Sequence, residues 1–278
     1  MALIEVNFVS SSLFRTVPIQ VILPVDKLVK AGAEARERKT FRTLYLLHGI
    51  LGNHTDWVSG TRIQRWAEEK NLAVVMPAGE NRFYIDQPEA GNRYGEYIGK
   101  ELVEITRRMF PLSGRREDTF IGGLSMGGFG AIRNGLKYYD TFSHIICLSG
   151  ALHILEGAEG TGARKHIAFE ESCFGDLEEA VKSDKNPRYL VERLKKEKKV
   201  NPAIEFPKLY MACGTEDGLI GANRVYRDFL KECGLDVTYE EGPGGHDWDF
   251  WDAYIKKAIQ WLPLEEGTLG ISSGHLPN

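Results

Sequence analysis

Residues Gly123-Leu124-Ser125-Met126-Gly127 hold a serine between two glycines. An apolar run, Thr119 to Leu124, leads into it, and a helix-compatible stretch follows from Gly128. A serine in a strand, turn, helix setting sits on a sharp bend with its hydroxyl raised above a sheet. A Cβ at either flanking glycine would crowd that bend. The segment predicts a serine hydrolase. The rest of the chain must then supply a base for the serine proton, an acid to orient the base, and two N–H donors for an oxyanion.

Five histidines follow Ser125: His144, His153, His166, His246 and His275. His246 lies in Gly242-Pro243-Gly244-Gly245-His246-Asp247-Trp248, a glycine-rich loop between a strand and the last helix. A base on such a loop can reach a serine at the sheet's edge. His144 and His153 belong to a strand and its exit and read as packed or solvated. His166 falls in an insertion and His275 in the tail. For the acid, the apolar run Lys208 to Cys213 enters Gly214-Thr215-Glu216-Asp217-Gly218. Asp217 is preferred because Gly218 lets its backbone turn freely, and Glu216 is the alternative. The resulting chain order is Ser, acid, His.

One oxyanion N–H follows from the bend itself, that of Met126. The second should leave an earlier strand, and His48-Gly49-Ile50-Leu51-Gly52 follows the apolar Thr43 to Leu47. Ile50 is the first candidate and Leu51 the next. His48 precedes the serine and reads as a structural hydrogen-bonding residue. Trp57, Phe83, Tyr84, Trp248, Phe250 and Trp251 gather near this mouth. Trp57 and Trp248, with Leu51, are candidates to line the acyl site, whereas Trp251 reads as core.

Hydrophobic periodicity supplies the scaffold. Strands are expected at 3–10, 18–24, 43–48, 72–76, 120–124, 144–148, 208–213 and 236–240, and helices at 61–70, 93–110, 127–137, 224–235 and 249–262. In the 93–110 helix the spacing of Tyr97, Ile98, Leu102, Ile105 and Met109 sets the apolar face. Alternating strands and helices imply an α/β fold with a mostly parallel sheet and helices on both faces. We read 1–278 as one domain with residues 151–206 inserted as a cap. The charged stretch 33–39 and the tail from Pro263 read as loops.

The chain has 278 residues, 42% hydrophobic and 27% charged, with net charge −4. That balance suits a globular protein and gives no footprint for nucleic acid. The start lacks a basic segment followed by an apolar one, and no run approaches a membrane span, so no membrane partner is expected. Cys147, Cys173, Cys213 and Cys233 have no metal or disulfide spacing. A reducing cytoplasm is the expected compartment. Homo-oligomer formation is left open.

Together these segments resemble the esterase D branch of the α/β-hydrolases, most closely its tributyrin and feruloyl (cinnamoyl) esterases. S-formylglutathione hydrolases and mycolyltransferases are more distant relatives. The resemblance rests on LLHGILGNHTDW (46–57), the Tyr84 to Leu102 block, GGLSMGGFGA (122–131), CGTEDGLI (213–220) and GGHDWDFWD (244–252). It implies Ser125 as nucleophile, Asp217 as acid, His246 as base, and Ile50 and Met126 as oxyanion donors. His48 stands where the formylglutathione hydrolases carry serine, and their nearby cysteine is missing, which counts against thiol esters. The implied reaction is hydrolysis of a small-molecule ester through an acyl-serine, without metal or organic cofactor. Acyl transfer to an alcohol would use the same three residues, and a non-catalytic binding module would be expected to have lost one of them.

Overall fold

The computed structural model describes residues 1–26, 40–155 and 167–264. The stretch 33–39, His166, His275 and the tail beyond Leu264 lie outside them. In chain order the elements are β1 (Ala2–Ser10), β2 (Arg15–Leu23), β3 (Thr43–Leu47), α1 (Asp56–Gly60), α2 (Ile63–Glu69) and β4 (Ala73–Pro77). A two-residue hairpin, β5 (Asp86–Gln87) and β6 (Asn92–Arg93), precedes α3 (Tyr94–Glu96) and α4 (Leu102–Met109). Then come β7 (Thr119–Leu124), α5 (Met126–Lys137), β8 (His144–Leu148), α6 (Ile167–Phe174), α7 (Leu177–Val181) and α8 (Pro187–Val200). The chain closes with β9 (Lys208–Gly214), α9 (Ile220–Glu232), β10 (Val237–Gly242) and α10 (Trp248–Trp261).

Eight strands form one sheet in the order β1-β2-β4-β3-β7-β8-β9-β10. The β1–β2 and β2–β4 pairs are antiparallel and the remainder parallel. The central strands β3, β4 and β7 are buried on both faces, as their near-continuous apolar sequences require. Alternate residues of β3 point to opposite cores. Tyr45 and Leu47 join one with α4, α5, α8 and α9, while Leu44 and Leu46 join another with α1, α2 and α10. All parallel strands end on the same edge, so the loops after β3, β7, β9 and β10 gather there.

The 93–110 helix departs from its expected face. Between α3 and α4 the chain widens into a π-turn, Tyr97–Glu101. Tyr94, Tyr97, Ile98, Leu102, Val103 and Thr106 are buried, but Met109 is exposed. The extra residue in the wide turn advances the buried face, so a 3.6-residue period no longer reaches Met109. Gly99 sits in this turn because any Cβ there would fall 2.0 Å from the Tyr138 ring.

Among the described residues, three helices lie between β8 and β9, where the sequence places the insertion. Its charged side faces water, and its apolar side packs on α5 and the loop before β5. Phe174 lies 5.0 Å from Phe83 and 5.7 Å from Phe129, centroid to centroid. Arg133 of α5 is fully buried and donates to the Asp184 carbonyl of the insertion at 3.0 Å and to Asp86 at 3.2 Å. Lys137 bridges the same two carboxylates at 2.7 and 2.9 Å. Burial alone would raise both acids, yet the two cations hold Asp86 and Asp184 below the ordinary carboxylate range. Asp86 is therefore occupied as a structural anion.

Candidate active site

The bend after β7 forces Ser125 into φ 53°, ψ −117°, a region that L residues seldom occupy. Surrounding bonds hold it there. Ser125 N–H donates to the Leu148 carbonyl at 2.9 Å, and its own carbonyl accepts from Ala151 and Phe129. Both flanking glycines are required by contact: a Cβ on Gly123 would lie 2.4 Å from the Gly127 backbone, and one on Gly127 2.4 Å from the Leu47 carbonyl. The side chain is 7% exposed and stands at the N-terminus of α5.

His246 approaches from the loop between β10 and α10. Its Nε2 lies 3.0 Å from Ser125 Oγ and its Nδ1 2.8 Å from Asp217 Oδ2. The ring is gripped edge-to-face by Trp251 at 4.9 Å. Asp247 caps α10 by accepting from Phe250 N–H at 2.9 Å, which fixes where the loop ends.

Asp217 is 2% exposed on the loop leaving β9. Burial would raise its carboxyl, but His246, the Leu219 N–H (2.8 Å) and the Ser149 hydroxyl more than offset this and hold it below its ordinary range. Ser149 is itself buried and accepts from Trp251 Nε1 at 3.2 Å. Ser149 and Trp251 were not legible as parts of the site. The alternative acid, Glu216, points elsewhere: its carboxylate accepts from Gly244 N–H at 2.6 Å, and that bond lowers its pKa.

The loop after β3 passes beside Ser125, for a Cβ on Gly49 would be 3.6 Å from Ser125 Cβ. Among the described residues, no protein acceptor engages the N–H of Ile50 or of Met126. Leu51 N–H is engaged, donating to Asn81 Oδ1 at 2.7 Å. His48 is the strut of this loop. It is buried, its Nε2 accepts from Gly79 N–H at 2.8 Å, and its Nδ1 donates to the Gly49 carbonyl at 2.7 Å. Burial lowers its pKa, which keeps the ring neutral as that pattern demands.

Trp57, Phe83, Tyr84 and Phe250, expected at the mouth, are buried instead. Trp57 is 1% exposed and spends its Nε1–H on the Leu47 carbonyl at 3.0 Å, so it braces β3 and presents no wall to a substrate. Phe83 and Tyr84 are equally buried, Tyr84 bonding the His48 carbonyl at 3.0 Å. Phe250 is core, stacked on Tyr254 at 4.1 Å. The cause is common to all: α1, α10 and the loop before β5 turn these rings inward, a choice that residue type alone does not fix. Trp248 keeps partial exposure against Trp57 and Trp251, and Leu51 is 87% exposed.

Comparison with known proteins now bears on this constellation. The Esterase family model matches residues 10–262. The chain belongs to that family. It is 46% identical over 266 residues to an acetyl esterase of Caldicellulosiruptor saccharolyticus, covering 94% of this chain and 98% of that protein. The fold matches a fluorophosphonate-binding serine hydrolase, FphF, of Staphylococcus aureus with TM-score 0.79 and 32% identity, over 94% of this chain and 98% of the other. A ferulic acid esterase at 19% identity shares the fold with TM-score 0.75, over 94% and 97% of the two chains. The esterase is thus an α/β-hydrolase that cleaves carboxylic esters. Among its described residues no helix is long and apolar enough to cross a membrane.

Proposed function

We propose that Ser125 is the nucleophile, His246 the general base and Asp217 the orienting acid of this esterase, acting on short-chain acyl esters. The observation that carries the reading is the continuous chain from Asp217 Oδ2 to His246 Nδ1 to Ser125 Oγ, with links of 2.8 and 3.0 Å. His246 takes the serine proton as Oγ attacks the carbonyl, and the oxyanion develops against the N–H groups of Ile50 and Met126. Leu51 is discounted as a donor because its N–H is committed to Asn81. Collapse expels the alcohol, protonated by His246, and water repeats the attack to release the acid. The four free cysteines fit a reducing cytoplasm.

Activity should rise with pH through one ionisation and then level off. His246 accepts the serine proton only when neutral, and Asp217, held below its ordinary range, is already ionised there. A kcat/KM profile with more than one acidic limb would show a further group in the reaction.

The insertion α6 to α8 serves in this reading as a cap, and the 46% identity to an acetyl esterase supports a small acyl site. Among p-nitrophenyl esters, acyl groups of about two to six carbons should turn over faster than decanoate, because added methylenes, worth about 0.8 kcal/mol each when buried, find no room. Methyl ferulate in the same panel tests flat aromatic acids. Phe169 lines a cavity of about 280 Å³ with Glu80, Asn81, Arg82 and Ser172, beside the loop that carries Ile50. Phe169→Ala should therefore shift the optimum toward longer chains. An unchanged chain-length profile would remove the insertion from the acyl site. Phe174 differs, being fully buried against Phe83 and Phe129. Its replacement by Ala should cost about 3–5 kcal/mol of stability, read by denaturant unfolding, and should leave selectivity unchanged.

A further inference from the structure

The segment that carries Ile50 is under backbone strain of its own. Leu51 adopts φ 64°, left-handed and disfavoured for a residue with a Cβ, and its side chain is almost wholly in solvent. No packing of the leucine side chain holds this conformation. Two hydrogen bonds do: Leu51 N–H donates to Asn81 Oδ1 at 2.7 Å, and Gly52 N–H closes the turn on the Gly49 carbonyl at 3.3 Å. Turning Leu51 out of the left-handed region would rotate the Ile50–Leu51 peptide and reshape the tight turn that carries the Ile50 N–H.

Asn81 is itself anchored. Glu80, before it, is also left-handed at φ 47°, as are Phe83 and Tyr84 after it at 51° and 57°. The segment is therefore a tightly wound loop. It meets the β3 exit at two further points, Gly79 N–H to His48 Nε2 and Tyr84 hydroxyl to the His48 carbonyl. On its far side it is tied to α6. Cys173 Sγ donates to the Asn81 carbonyl at 3.1 Å, and Arg82 donates to the Ser172 carbonyl at 3.0 Å. Asn81 thus touches the insertion through its backbone and the oxyanion loop through its side chain.

We infer that Asn81 is a positioning residue of the ester hydrolysis: its side-chain oxygen clamps Leu51 and so aims Ile50 N–H at the oxyanion. The inference rests on the assignment of Ile50 as oxyanion donor. Its signature is selective. An aimed donor matters to the tetrahedral state and little to the trigonal ester. The proton relay is not involved, since the hydrogen bonds of Asn81 run to Leu51 and Cys173 and not to His246 or Asp217.

The test uses Asn81→Ala in the full chain, with p-nitrophenyl acetate as substrate and phenylboronic acid as a tetrahedral probe on Ser125. kcat should fall about 10- to 100-fold, and the boronate inhibition constant should rise by a similar factor. KM, the pH limb and the melting temperature should stay close to wild type. Asn81→Asp keeps the accepting oxygen. Measured at high salt, where the added charge is screened, it should recover most of both losses. If Asn81→Ala fails to fold, Asn81→Ser, too short to reach Leu51, takes its place with the same expectations. Unchanged kcat and boronate affinity, or a kcat loss without weaker boronate binding, would overturn the clamp. Failure of the Ser125 assignment, on which the Ile50 assignment depends, would look different: boronate would then not inhibit the wild-type enzyme at all.

Discussion

Ser125→Ala should reduce kcat for p-nitrophenyl acetate by on the order of 10⁴-fold or more while leaving the fold intact. The hydroxyl's recorded contact is the one to His246 Nε2, so its removal deletes the attacking atom and little packing. The bonds that hold the bend all run through the backbone: Ser125 N–H to Leu148, and the Ser125 carbonyl to Phe129 and Ala151. Alanine retains each of them. It also faces the same φ of 53° as serine, so the unfolding midpoint should move little. A purified variant keeping more than a few per cent of wild-type activity would falsify the assignment of Ser125 as nucleophile.

The sheet and the proposed catalytic residues were legible in the sequence for separate reasons. Strands such as β3 and β7 are buried on both faces, and a continuous apolar run is a strong local signal. The bend after β7 was legible because its two glycines are sterically enforced, one by the Gly127 backbone and one by the β3 carbonyls. His246 stood out through chain order and the glycines around it. What failed to show depends on distant neighbours. Nothing in the type of Trp57 distinguishes an indole that donates to Leu47 from one that faces a substrate. The π-turn at 97–101 preserves a helix-like composition while moving its face by one residue, so Met109 emerges exposed. Ser149 and Asn81 are small polar residues on loops. Their significance comes from single hydrogen bonds to residues 68 and 30 positions away, which no local pattern encodes. The insertion showed as an interruption of the strand and helix rhythm, but its docking on α5 through the buried Arg133 pair did not.

The choice between two adjacent carboxylates is where sequence and structure meet most directly. Asp217→Asn should lower kcat by about 10⁴-fold, whereas Glu216→Gln should cost much less. Asp217 accepts the His246 Nδ1 proton at 2.8 Å, and this keeps Nε2 unprotonated toward Ser125. An asparagine there can rotate its NH₂ toward the ring, which favours the opposite tautomer and turns the base into a donor. It also removes the charge that stabilises imidazolium as the tetrahedral state forms. The surroundings are tuned to the anion, because Leu219 N–H and the Ser149 hydroxyl both donate to it. Half of that donor set would oppose an asparagine NH₂. Glu216 carries no such burden. It is solvent-exposed and bonds the Gly244 N–H, two residues before His246, so Glu216→Gln keeps an oxygen acceptor in place and only loosens the loop. The two variants should also separate by pH. Asp217→Asn should lose activity at every pH, while Glu216→Gln should keep the wild-type limb at a modestly reduced plateau. The reverse ranking in kcat would transfer the acid role to Glu216 and would require the β9 loop to rearrange in the reacting complex.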